Sequence, residues 1–168
     1  MTYCYTVMKS PVGDITLIAD NVSLREIYWP NQKPDRVKFP NLEKKDRDPI
    51  LKSAVKQLES YFSGKRKEFD LPLEPVGTEF QKEVWEALRS ISYGETVSYG
   101  DIARRIGRPN AVRAVGSAIG KNPLSIMIPC HRVIGASGKL TGFAGGLSTK
   151  EFLLNLESQF DSPTASRI

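Results

Sequence analysis

Cys130, His131 and Arg132 stand consecutively between Pro129 and the aliphatic pair Val133-Ile134. A thiol beside an imidazole can do nucleophilic chemistry. Cysteine attacks as its thiolate, and at an ordinary pKa of about 8.5 only a small fraction is ionised at neutral pH, so the thiol needs activation. His131 can serve as the base and Arg132 adds positive charge, but neighbours in sequence need not face one another, and adjacency leaves the dyad open. Two plainer readings stand beside it: Cys130 as a small buried hydrophobe and His131 as a satisfied structural residue. The chain carries only two cysteines, Cys4 and Cys130, and one histidine. A reducing compartment keeps both as thiols, and a four-ligand Cys/His zinc site cannot be assembled, so no disulfide, metal or other cofactor is expected.

The segment before the cysteine, residues 124–128, is an apolar run between Pro123 and Pro129, which predicts a buried extended segment. After it come Gly135-Ala136-Ser137-Gly138, so the thiol sits where a buried run meets a loop, as a pocket floor would. Upstream, Ser98-Tyr99-Gly100-Asp101 reads as a helix start and Gly107 as its end. Asn110 is placed to cap a second helix running from 111 to about 120, giving a helix-turn-helix. On that second helix Val112, Val115 and Ile119 share one face. Arg113, Gly116, Ser117 and Gly120 share the other, one long cation on a surface of tiny residues. Each glycine costs about 1 kcal/mol relative to alanine in a helix interior, so a close approach should offset it. A nucleic-acid groove and tight packing against another helix both remain open as that approach. Small side chains carry little base-reading code, which favours sequence-blind binding, with Arg113 able to fill the space of an extruded base.

Charge placement supports the nucleic-acid reading. From residue 102 through 150 the basic residues are Arg104, Arg105, Arg108, Arg113, Lys121, Arg132, Lys139 and Lys150, with no Asp or Glu among them. Such a stretch suits a polyanion. No apolar run approaches the roughly 18 residues a membrane span needs, and residues 1–8 lack a signal pattern, so a cytoplasmic protein is expected, nuclear in a eukaryote.

With 168 residues, 40% apolar and 26% charged, the chain is sized for one ordinary domain or two small ones. Residues 3–8, 15–19 and 24–29 read as strands joined by turns, and 30–45 as a proline-punctuated loop. Asp48 caps a helix whose apolar face is Ile50, Leu51, Val55, Leu58, Tyr61 and Phe62; Gly64 stops it, and Phe69, Leu71 and Leu73 alternate as a further strand. Pro75-Val76-Gly77 reads as a linker and Thr78-x-x-Gln81 as a capping box opening a mainly helical second unit. The expected division is 1–75, 76–160 and a tail at 161–168.

Pro129-Cys130-His131-Arg132-Val133, with Ile126-Met127-Ile128 and Asn122-Pro123 before it and Gly142-Phe143-Ala144-Gly145-Gly146 after it, resembles the O6-alkylguanine-DNA alkyltransferase family. The likeness extends through Ser98-Tyr99, Arg113-Ala114-Val115-Gly116 and Lys150-Glu151-Phe152-Leu153-Leu154, spanning residues 78–157. It implies an α+β architecture: an N-terminal ribonuclease-H-like α/β domain followed by a winged-helix-like, mainly helical DNA-binding domain. It implies stoichiometric, irreversible transfer of a methyl or other alkyl group to Cys130 from O6 of guanine, and from O4 of thymine, after base flipping in double-stranded DNA by a monomer. His131 then acts as base through a water, Glu151 orients the histidine, and Asn122 is a hinge residue. Arg113, Tyr99, Ser117 and Ala114 are the implied DNA contacts; Tyr99, Val133, Ala144, Phe143 and Ile119 the implied base contacts, with the carbonyls of Cys130 and Val133 accepting from the guanine amino group. Ala144 departs from relatives with Ser there. Glu151 has a second reading, because Ser148-x-x-Glu151 is also a capping box. A regulator with Cys130 as a redox sensor and a Cys-His hydrolase are the rival functions.

Overall fold

The computed structural model describes residues 2–161; the residues of the expected tail beyond 161 lie outside that range. The chain divides into two compact units, Met1–Val76 and Gly77–Ile168. No helix among the described residues is long and apolar enough to cross a membrane.

The first unit is a twisted sheet with one helix. Strands β1 (Cys4–Ser10), β2 (Gly13–Ala19) and β3 (Leu24–Tyr28) form an antiparallel meander, and β4 (Glu43–Lys44) adds parallel to β1, giving the order β3-β2-β1-β4. Ile15, Leu17 and Ile18 are fully buried, and helix α1 (Pro49–Phe62) packs on the sheet through Leu51, Ala54, Leu58 and Tyr61. Asp48 caps α1 by accepting from the Leu51 amide, with Pro49 in the first turn. Two expectations change. The loop at 30–45 contributes β4, two residues being too short for a period-2 pattern to register. The strand expected around Phe69, Leu71 and Leu73 reduces to one bridge between Leu24 and Leu73. Gln57 on α1 donates to the Asp70 carbonyl and accepts its amide, both at 2.8 Å, while Pro72 and Pro75 withhold ladder donors.

The second unit is mainly helical: α2 (Glu79–Arg89), α3 (Tyr99–Arg105), α4 (Val112–Gly120) and α5 (Leu147–Asp161), with short strands β5 (Val97–Ser98) and β6 (Val133–Ile134) paired in parallel. Thr78 and Ser98 each form a reciprocal capping box, with Gln81 and Asp101 respectively. The core between α2, α3 and α4 is Val84, Trp85, Leu88, Ile102, Ala103, Val115 and Ala118, and Trp85 Nε1 donates to the Ala118 carbonyl at 2.9 Å. Asn110 does not cap α4: the helix starts one residue later, Ala111 occupies the cap position, and no side chain bonds there. Val112, expected inward, is exposed; Ala118 takes the buried position beside Val115 and Ile119.

Candidate active site

Cys130 lies in a single 3₁₀ turn, Cys130–Arg132, between the 121–129 segment and β6. Its thiol is buried and contacts the Ser125 hydroxyl at 3.9 Å. The preceding run is buried as expected but not extended. The Ile128 amide donates to the Leu124 carbonyl at 2.8 Å, and Ile126 sits at φ +76°, in the left-handed region that a β-branched residue rarely occupies. Such a conformation costs on the order of 1–3 kcal/mol and persists only where its surroundings enforce it. Asn122 supplies that enforcement. Its Nδ2 donates to the Ile128 carbonyl at 2.8 Å and its Oδ1 accepts the Leu124 amide at 3.0 Å, clamping both ends of the turn that leads into Cys130.

Burial pushes the Cys130 thiol up; the side chains of Asn122 and Ser125 and the charge of Lys150 act against that without reversing it. The resting group is therefore a thiol, and a base is required. His131 is fully buried and its Nε2 lies 2.6 Å from Glu157 Oε2. The same carboxylate takes Arg132 Nε at 2.7 Å and Nη2 at 3.0 Å. These donors hold Glu157 far below the usual carboxylate range against the cost of burial. An ionised carboxylate can only accept, so Nε2 carries a proton. Burial lowers the His131 pKa and keeps the ring neutral, so Nδ1 carries the lone pair, and it has no hydrogen-bond partner among the described residues.

The carboxylate at His131 is thus Glu157, and the expected role of Glu151 is corrected. Glu151 is exposed one residue past the buried Lys150, and Ser148 already lies inside α5, so the expected capping box does not start that helix either. Lys150, Leu153 and Glu157 share one buried helix face at spacings of three and four. A carboxylate in register with an apolar face was the signal that would have found Glu157. Arg132 also changes place, facing Glu157, the Ile91 carbonyl at 2.6 Å and the Tyr93 ring rather than the thiol.

Lys150 was not foreseen at the site. Its side chain is buried, and Nζ donates to the Val133 carbonyl at 2.6 Å and lies 3.4 Å from the Thr141 carbonyl. Burial lowers its pKa, and the thiolate form of Cys130 favours its charged form. Thr141 Oγ1 in turn bonds the Tyr99 hydroxyl. The two carbonyls expected to accept from a guanine amino group each hold one bond already, Val133 from Lys150 and Cys130 from the Val133 amide. A carbonyl accepts two. Ile119 is buried on α4, while Phe143, half-buried, and Ala144, exposed, lie in the loop between β6 and α5.

The small-residue face of α4 is open. Arg113, Ala114, Ser117 and Gly120 are exposed, and a Cβ on Gly120 would meet nothing within 4 Å. On Gly116 it would meet only the Tyr99 ring at 3.7 Å, an ordinary contact. Close packing of this face against another helix is therefore absent among the described residues, which removes one of the two reasons for its glycines. The basic stretch is thinner than its sequence implies: Arg132 and Lys150 are buried, Arg104 pairs with Asp101, and Arg108 with Glu83. Arg104 and Arg108 are exposed despite their pairing, as are Arg105, Arg113, Lys121 and Lys139.

Residues 3–75 match the ribonuclease-like domain of 6-O-methylguanine DNA methyltransferase, and residues 79–159 match its DNA-binding domain. A methylated-DNA–protein-cysteine methyltransferase of Methanosarcina acetivorans is 50% identical over 91% of this chain and 97% of its own length. One from Haemophilus influenzae is 46% identical over 91% and 85%. Among solved structures, the O6-methylguanine methyltransferase of Mycobacterium tuberculosis superposes with a TM-score of 0.87 at 44% identity, covering 96% of both chains. OGT of the same organism, in complex with DNA, gives 0.85 at 44% identity over 95% and 94%. The expected two-part architecture, ribonuclease-like then helical and DNA-binding, agrees with these matches.

Proposed function

The chain belongs to the 6-O-methylguanine DNA methyltransferase family, and on that premise we propose that it repairs alkylated DNA by moving the alkyl group from O6 of guanine, or O4 of thymine, onto Cys130. The observation that carries the reading is a buried thiol followed by a buried histidine whose Nδ1 lone pair is free and whose Nε2–H is committed to Glu157.

His131 takes the thiol proton at Nδ1 through a bridging water. The thiolate sulfur attacks the alkyl carbon, the S–C bond forms as the C–O6 bond breaks, and the electron pair passes to the purine, which leaves with a proton donated by the pocket. The product is a thioether, and no group at the site can cleave it, so each molecule acts once. The thiol lies within the protein, so the target base leaves the stack of double-stranded DNA to reach it. Arg113 fills the space left behind; Ala114 and Ser117 lie along the backbone; Tyr99, Val133, Phe143, Ala144 and Ile119 contact the extruded base. Asn122 holds the turn that aims the sulfur. The protein acts as a monomer without a cofactor, wherever the DNA is: the cytoplasm, or the nucleus of a eukaryotic cell.

Incubation with a duplex carrying radiolabelled O6-methylguanine should transfer at most one methyl per protein molecule, and none to Cys130→Ser. Transfer that continues past one equivalent, or survives in Cys130→Ser, sinks the proposal.

A further inference from the structure

Arg132 is buried beside the proposed base without touching the thiol, and the transfer step as described gives it no task. Its guanidinium makes three bonds of 2.6–3.0 Å: Nε and Nη2 fork onto the two oxygens of Glu157, and Nη1 donates to the Ile91 carbonyl just past α2. The Tyr93 ring lies against it at 5.6 Å. Glu157 Oε1 also accepts the Gly94 amide at 3.3 Å, so both of its oxygens are engaged by more than one donor.

We propose that Arg132 is a positioning residue for the transfer reaction: by engaging both oxygens of Glu157 it keeps His131 a neutral imidazole, protonated on Nε2, with Nδ1 open to the thiol proton. The inference rests on the reading of His131 as the base.

A histidine and a glutamate alone in a protein interior can lower their joint cost by becoming an imidazolium–carboxylate pair, and an imidazolium has no lone pair with which to accept a proton. A guanidinium is always charged. With Arg132 in its fork, the carboxylate already has its counter-charge, and a proton on His131 would be an unbalanced second cation. Lys150 adds a further positive charge from α5, while Cys130, a thiol, and Tyr93, pushed up to about 12 and lying against the guanidinium, are neutral. Burial is the first cause that lowers the His131 pKa; Arg132 and Lys150 act in the same direction, and Glu157 opposes them. Lysine would not replace arginine here, since a single ammonium can supply the charge but not the two-oxygen fork together with the bond to Ile91.

The chain has one histidine, so its ring signals need no assignment by mutation. In ¹⁵N-labelled resting protein without DNA, the ring should show the neutral Nε2–H form from pH 8 down to about 6, below the ordinary histidine midpoint of about 6.5. In Arg132→Gln the ring midpoint should rise by about one pH unit or more, with the acid limb of the single-turnover transfer rate rising alongside it. Arg132→Lys should fall between the two. A doubly protonated ring in the wild type at pH 7 overturns the proposal whether or not the variants fold, and so does a folded Arg132→Gln whose ring titrates where the wild type does. If Cys130 accepted no methyl while the ring behaved as described, the transfer reading would fall and the assignment of the ring would stand.

Discussion

The proposed chemistry depends on one proton acceptor, and the residue that fixes it is Glu157. Removing this carboxylate strands the Arg132 guanidinium and frees the imidazole. Loss of one partner of a buried ionic set costs about 3–5 kcal/mol, so Glu157→Ala should lower the unfolding free energy by that order and slow transfer sharply. Glu151→Ala, on the exposed side of the same helix, should change stability by less than about 0.5 kcal/mol and leave transfer intact. Denaturant titration of the two variants decides the matter, and the opposite order would return the role to Glu151. The thiol and the imidazole were legible in sequence because they are adjacent and flanked by a distinctive motif. Their carboxylate was not, because it arrives from a helix 26 residues further on and only the fold brings it near. Lys150 was hidden for the same reason: a lysine in a basic stretch looks like surface until the helix turns it inward.

At the scale of elements, α4 carries a conflict between stability and function that sequence alone could pose but not resolve. Its glycines could have served packing or an approach to DNA, and the open face leaves the second. Gly116→Ala should therefore stabilise the protein by about 1 kcal/mol or less, since helix propensity improves and the new methyl meets only the Tyr99 ring at an ordinary distance. The same variant should bind duplex DNA more weakly, because the methyl stands on the docking face. A Gly116→Ala protein that is more stable and binds equally well would mean that the face is not the DNA surface. Arg113→Ala, by contrast, should slow transfer from duplex DNA much more than transfer from a free O6-alkylguanine base, which needs no extrusion; equal losses would argue against a role in the stack. The helix boundaries were readable wherever a side chain caps them, as at Asp48, Thr78 and Ser98. They were missed at α4, where Ala111 caps with backbone alone. The turn at 124–128 reads as an extended segment from its composition, and only the Asn122 clamp and the positive φ of Ile126 reveal it as a strained turn.

For the whole molecule, the buried ionic set links folding to pH. The folded His131 has a depressed pKa, so as pH falls below about 6.5 the unfolded chain takes up a proton that the folded one refuses. Glu157, held low in the fold, adds a second loss once the pH drops below the usual carboxylate range. Stability should thus decline in two stages on acidification, visible as a falling denaturant midpoint. A midpoint that stays flat from pH 7 to 5 would show that His131 is not held neutral by the fold.

The central claim, that Cys130 is the alkyl acceptor, is tested most directly by mass spectrometry. Reduced protein is incubated with a duplex containing O6-methylguanine, digested, and its peptides mapped. A single methyl should be added to the peptide holding Cys130, with Cys4 unmodified and the guanine restored. A methyl on any other residue, or an unmodified Cys130 in folded protein that binds the duplex, would contradict it.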